Sequence, residues 1–149
     1  MLKNNYIDIK YIEKITNQIK SQLMLIWEDS IEHSHHFLSK KDKEIIKKEL
    51  LDSQIFFNLK YLVCYIDDKM IGFLAFDEKK IEMLFLKSQY FNQGIGSALM
   101  SKALNEYDLK FVEVNKDNKQ AYNFYKKFGF TQENEYTDKY GFVVVKMKL

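Results

Sequence analysis

Gln89-Tyr90-Phe91-Asn92-Gln93-Gly94-Ile95-Gly96-Ser97-Ala98-Leu99-Met100 is the stretch on which the fold turns. An apolar, strand-like run ending at Leu86 precedes it, and an amphipathic helical pattern follows. The order is strand, glycine turn, helix N-terminus. Two glycines one residue apart let the backbone pass close to a ligand. The unpaired N–H groups of a first helical turn, at the positive end of the helix dipole, then point at whatever sits there. An anion, and a phosphate above all, belongs in that place. The same spacing also serves as a plain strand-to-helix connection, so the surrounding sequence has to decide. Two other phosphate motifs are excluded. The Gly-x-Gly-x-x-Gly dinucleotide fingerprint needs glycine where Leu99 stands, and the P-loop needs a Gly-Lys-Ser/Thr ending that occurs nowhere in the chain.

About twenty residues on, Val112-Glu113-Val114-Asn115 reads as a short strand. Polar loop residues lead from it into a helix that closes at Gly129, a residue suited to a left-handed C-cap. The pattern is β-α-β. Together the two segments resemble the GNAT superfamily of acyl-CoA-dependent N-acetyltransferases. That family carries Gln/Arg-x-x-Gly-x-Gly/Ala at the start of its central helix and Asn-x-x-Ala-x-x-Phe-Tyr-x-x-x-Gly-Phe on the next. Asn118, Ala121, Phe124, Tyr125, Gly129 and Phe130 match the second pattern in full. Gly94 and Gly96 match the first, whereas Phe91 stands at its opening Gln/Arg position and removes one side-chain contact to the pyrophosphate. Further toward the N-terminus, Trp27 and His35-His36-Phe37-Leu38 look like the first-helix region of a small bacterial branch of the same superfamily, which has a Trp and a downstream His-x-Phe-Leu.

The resemblance implies an α/β fold with a mixed central sheet: antiparallel N-terminal strands and a parallel, splayed central pair, flanked by helices. It also implies acetyl transfer from acetyl-CoA to a primary amine by direct attack, the alternative being a non-catalytic acyl-CoA-binding regulator. In the family the strands ending here at Leu86 and Val114 part, so that unpaired backbone holds the pantetheine arm. Leu84, Phe85 and Leu86 then contact the cofactor, with the Leu86 amide as oxyanion donor. Phe91, Asn92, Gln93, Gly94, Ile95, Gly96 and Ser97 surround the pyrophosphate, and Asn118 touches the cofactor while capping its helix. Tyr125 is the general acid beside the sulfur; read from spacing alone it is a core tyrosine of an amphipathic helix. The acceptor pocket is bordered by the segment holding Trp27 and His36 and by the loop from Gln132 to Tyr140.

Glu82 is the candidate base, because strict strand alternation gives it the facing of Leu84 and Leu86, from which it reaches an amine through water; its ordinary role is a solvated strand carboxylate. His33, His35 and His36 lack a carboxylate or cysteine at ligand spacing, so no metal is expected.

Composition agrees with this reading. A chain of 149 residues is expected to be one domain, 1–149, able to bury a core without staples. The single cysteine, Cys64, lies in an apolar run and reads as a buried structural thiol. Charged and apolar residues mix from the start, which does not resemble a signal peptide, and no apolar run approaches a membrane span, so the expected compartment is the cytoplasm. Basic residues number 23 against 21 acidic ones and are interspersed, leaving no nucleic-acid footprint. The expected partner is an amine-bearing small molecule or peptide, with the protein itself a monomer or homodimer.

The expected elements are a first strand somewhere between Tyr6 and Ile15, a helix carrying Ile19, Leu23, Ile26, Trp27 and Ile31, and a second helix opened by Ser39 and Asp42. A three-strand meander follows: Tyr61 to Ile66, Met70 to Phe76 and Ile81 to Leu86. Then come helix Gly96 to Tyr107, strand Phe111 to Val114, helix Lys119 to Phe128, and two last strands, Thr131 to Glu135 and Phe142 to Met147.

Overall fold

The computed structural model describes residues 6–149, so the chain opening read above falls partly outside the described residues, at 1–5. The elements in chain order are β1 (Asp8–Ile12), α1 (Asn17–Ser34), α2 (Lys40–Asp52), β2 (Lys60–Ile66), β3 (Lys69–Asp77), β4 (Lys80–Leu86), α3 (Ile95–Glu106), β5 (Phe111–Asn115), α4 (Lys119–Lys127), β6 (Thr131–Thr137) and β7 (Val143–Lys148). Single 3-10 turns at Ile55–Asn58 and Ser88–Tyr90 lead into β2 and toward α3. All seven strands form one sheet, in the order β1-β2-β3-β4-β5-β7-β6. Every neighbouring pair is antiparallel except β4 and β5.

Alternation along the strands divides the apolar residues between two layers. Leu62, Cys64, Leu74, Phe76 and Ile81 face Ile95, Leu99 and Met100 of α3 and Tyr125 of α4. Tyr61, Val63, Phe73 and Ala75 face Leu23, Ile26 and Trp27 of α1, with Phe56 beside them. Each Val, Leu, Ile, Phe or Met among them, fully buried, contributes about 1.5–3 kcal/mol. Helix α2 buries none, and its 13 residues would be marginal in isolation. It is held by half-buried Ile46 and Leu50 and by the expected reciprocal cap, in which Ser39 Oγ accepts from Asp42 N and Asp42 accepts from Ser39 N.

Cys64 is fully buried, and burial followed by the Asp8 charge pushes its thiol up to about 12, so it is inert packing. No helix among the described residues is long and apolar enough to cross a membrane.

One departure from simple alternation bears on the site. The register of β3 against β4 slips so that Phe76 faces Ile81 while Ala75 faces Met83, leaving Glu82 as the extra residue of a bulge. Ile81, Leu84 and Leu86 therefore share the α3/α4 layer, while Met83 and Phe85 join the other. Glu82 does not share the facing of Leu84 and Leu86. Its carboxylate lies 3.3 Å from Lys80 Nζ, which also holds Glu113 at 2.6 Å. Glu113 alternates with Val112 and Val114, both buried in the α3/α4 layer.

Candidate active site

The N-terminus of α3 is unlike the others. Thr16, Ser39 and Asn118 each put a side-chain oxygen on a backbone N–H at the start of α1, α2 and α4. At α3 the cap is Gly94, left-handed at φ 85°, with no side chain to offer and no acidic residue in the first turn. The first intrahelical bond is Ala98 N to Gly94 O, so the amides of Ile95, Gly96 and Ser97 have no helical acceptor. They open onto a cavity of about 450 Å³ whose described lining contains no carboxylate. Three unpaired N–H groups at a helix N-terminus in such a wall suit a phosphate. A Cβ at Gly96 would meet Phe124 at 3.8 Å, ordinary contact, so the fold itself does not demand glycine there.

Beside this cradle the parallel strands part. β4 and β5 are in register only at Lys80 with Phe111 and Ile81 with Val112. On the other edge of β4, Gly72 faces Leu86 and Lys87 N donates to Ile71 O at 2.8 Å. Hydrogen-bonded pairs alternate along an antiparallel ladder, so Phe85 turns its backbone groups toward β3. Leu84 and Leu86 turn theirs the other way, into the gap left by β5. Leu84, Phe85 and Leu86 all line the cavity.

Helix α4 supplies the opposite wall. The Tyr125 ring meets Phe124 and Phe130 edge-on, at centroid distances of 5.3 and 5.9 Å. Its hydroxyl has no protein partner among the described residues, and no wholly buried polar side-chain atom there goes unpaired, so the hydroxyl is the part that opens to the cavity. Burial pushes its pKa up and keeps it protonated. Asn118 Oδ1 accepts from Ala121 N at 3.1 Å, and Asn118 Nδ2 lies 3.4 Å from His35 Nε2.

Of the residues expected at the site, Leu84, Phe85, Leu86, Phe91, Asn92, Gly94, Ile95, Gly96, Ser97, Asn118 and Tyr125 all line this cavity. Gln93 does not, because its amide nitrogen is turned back onto the Gln89 carbonyl at 3.0 Å. Trp27 is buried in the core under α1, and His36 is exposed outside the lining. Glu82 stays on Lys80, away from the lining.

Sequence reasoning missed the end of α1: Ser30, His33 and Ser34 of its last turns and His35 at its C-cap line the cavity. The signal was present in His-x-Phe-Leu, whose histidine is His35. Which imidazole is partly buried there depends on where α1 stops: His35 is its C-cap, whereas His33 and His36 are exposed. Asp29, one turn back, accepts from Ser88 N at 2.6 Å, a bond that holds its carboxyl below the usual range and ties α1 to the turn before the cradle.

A family model described as an acetyltransferase (GNAT) domain matches residues 15–149. The peptidyl-lysine N-acetyltransferase YjaB of Salmonella typhimurium is 30% identical over 123 residues, covering 80% of this chain and 81% of that protein. The solution structure of apo YjaB from Escherichia coli is similar in fold with TM-score 0.81 at 23% identity, over 96% of this chain and 97% of that one. The PaiA N-acetyltransferase of Thermoplasma acidophilum, in complex with coenzyme A, gives TM-score 0.65 at 22% identity, over 97% and 99%.

Proposed function

The chain belongs to the GNAT acetyltransferases and transfers acetyl from acetyl-CoA to an amine, and from that premise we propose that its acceptor is the side-chain amine of a lysine in a peptide or protein. The relative named peptidyl-lysine N-acetyltransferase supports this choice of acceptor. The observation that carries the reaction is the convergence on one cavity of the uncapped α3 amides, the unpaired backbone of Leu84 and Leu86, and the Tyr125 hydroxyl.

Acetyl-CoA, when bound, supplies an acyl group activated as a thioester. The amides of Ile95, Gly96 and Ser97 hold the pyrophosphate, and with Phe91 at the motif's opening position this hold is made by backbone. The outward groups of Leu84 and Leu86 pair with the amide-bearing arm as a strand would. The Leu86 N–H donates to the thioester oxygen as negative charge develops there; one such donor contributes roughly 2.7–4 kcal/mol in acyl transfer. The Tyr125 hydroxyl gives its proton to the departing sulfur.

The test is to incubate the protein with acetyl-CoA and a lysine-containing peptide, following thiol release and the peptide's mass. Addition of one acetyl group at lysine is expected. Acetylation of small free amines with peptides left untouched would overturn the choice of acceptor. In parallel, coenzyme A at about 100 times its dissociation constant stabilises the fold by about 2.7 kcal/mol. Gly96→Val removes that gain by setting a branched side chain against the phosphates. A wild-type melting curve unmoved by millimolar acetyl-CoA would overturn the reading of the cradle.

A further inference from the structure

We propose that His35 Nε2 is the group that takes the proton from the attacking amine, a role that rests on the reaction centre lying between Leu86 and Tyr125.

His35 caps α1 where α1, β4 and α4 meet, its ring beside Phe37 and Phe85 at centroid distances of 5.2 and 6.2 Å. Phe85 is the neighbour of Leu86. A chain of hydrogen bonds fixes the proton on the other ring nitrogen. Ser34 Oγ donates to the Ser30 carbonyl at 2.7 Å, so it accepts at its 2.7 Å contact with His35 Nδ1, which must donate. At the far end Asn118 Oδ1 is taken by the Ala121 amide, so the group facing Nε2 is the Asn118 NH₂, a donor. Nε2 is therefore an acceptor, and at 3.4 Å its contact with Asn118 is long enough to yield to an incoming nitrogen.

The described lining contains no carboxylate. The other histidine in it, His33, donates Nδ1–H to the Asp29 carbonyl at 2.8 Å and likewise keeps Nε2 as an acceptor, but its side chain is exposed, whereas the His35 ring is held between Phe37 and Phe85. Burial, then the charges of Lys43 and His36, lower the His35 pKa to about 4, so the ring stays neutral and does not repel a lysine.

The step balances. As the amine nitrogen bonds to the acyl carbon, its proton becomes far more acidic than in a free amine and passes to Nε2. The carbon–sulfur bond breaks, and the thiolate takes the Tyr125 proton. Proton return from His35 to Tyr125 through cavity water restores both. Counted from the free amine, the net change moves one proton from nitrogen to sulfur; the extra proton of a lysine ammonium goes to water before attack.

The experiment compares His35→Ala and His35→Gln with wild type, measuring coenzyme A affinity by calorimetry and acetyl transfer to a lysine peptide in single turnovers. Affinity within about twofold of wild type is expected, with transfer slowed by about 10² to 10⁴ in both variants. Added imidazole restores transfer in His35→Ala, which vacates the ring's place, and not in His35→Gln, which fills it. Transfer near the wild-type rate in either folded variant overturns the proposal, and so does a loss in His35→Ala that imidazole leaves unrepaired. If His35→Ala does not fold, the His35→Gln rate decides. A wild-type protein that binds no coenzyme A defeats the proposed function instead. If wild type acetylates a different amine, the same comparison is made on that amine.

Discussion

A tyrosine on an amphipathic helix is usually core, and Tyr125 is that as well: its ring packs edge-on against Phe124 and Phe130. What the proposed role rests on is the hydroxyl, which opens to the cavity without a protein partner among the described residues. Tyr125→Phe keeps every ring contact and breaks no hydrogen bond within the protein. Melting temperature and coenzyme A affinity should hold while chemistry-limited turnover falls by about 10² to 10⁴. Turnover at the wild-type rate would leave the residue purely structural. That Tyr125, Asn118, Gly94 and Gly96 would come together on one cavity was legible because the proposed chemistry asks for those residue types at fixed spacing along one helix or turn. His35 was not singled out among three histidines, because its inward direction follows from the end of α1 and from two hydrogen bonds to residues of α1 and α4, neither of which periodicity encodes.

At the scale of elements, β4 puts three consecutive residues, Leu84, Phe85 and Leu86, on the cavity of the proposed site. Its existence was legible from the apolar run, but the bulge at Glu82 was not. A bulge is a slip between partners, and a single strand's sequence does not state its partner's register. Hence alternation counted straight through Glu82 and gave it the wrong face. The C-terminal end of β4 is set by Gly72 across the ladder. A Cβ there would stand 2.3 Å from Leu86 Cδ2 and 3.1 Å from the Phe85 carbonyl, so the Leu86 side chain has to leave its place over β3. Its other methyl already lies 3.9 Å from where a Gly96 Cβ would sit, so displacement crowds the cradle. Gly72→Ala should therefore weaken coenzyme A binding several-fold and lower the melting temperature. An unchanged affinity from calorimetry would mean that β3 does not govern the Leu86 position.

Across the whole molecule, the end of α1, β4 and the start of α4 come together at the cavity beside the parted strands, and the side chain between them is a neutral histidine, His35, in contact with Phe85 and Asn118. Its protonation therefore couples the site to global stability. The sign follows from the pKa values: about 4 for His35 when folded against 6.5 when exposed, so between those values the unfolded chain binds more protons. Stability is fully present above pH 6.5 and is lost as pH falls toward 4. The full shift corresponds to at most about 3 kcal/mol, and partial exposure of the ring lowers that bound. Between pH 7 and pH 5 the loss is up to about 2 kcal/mol. Asp29, held low by the Ser88 amide, acts in the same direction but only below its ordinary 3.8, so the two windows separate. Urea unfolding at pH 7 and pH 5 measures the effect. Wild type should lose stability over this interval and His35→Gln, which has no ionisation there, should lose less by the His35 share. Equal losses in the two proteins would show that His35 protonates as readily in the fold as outside it, and that the junction between the helices and the parted strands is open to water.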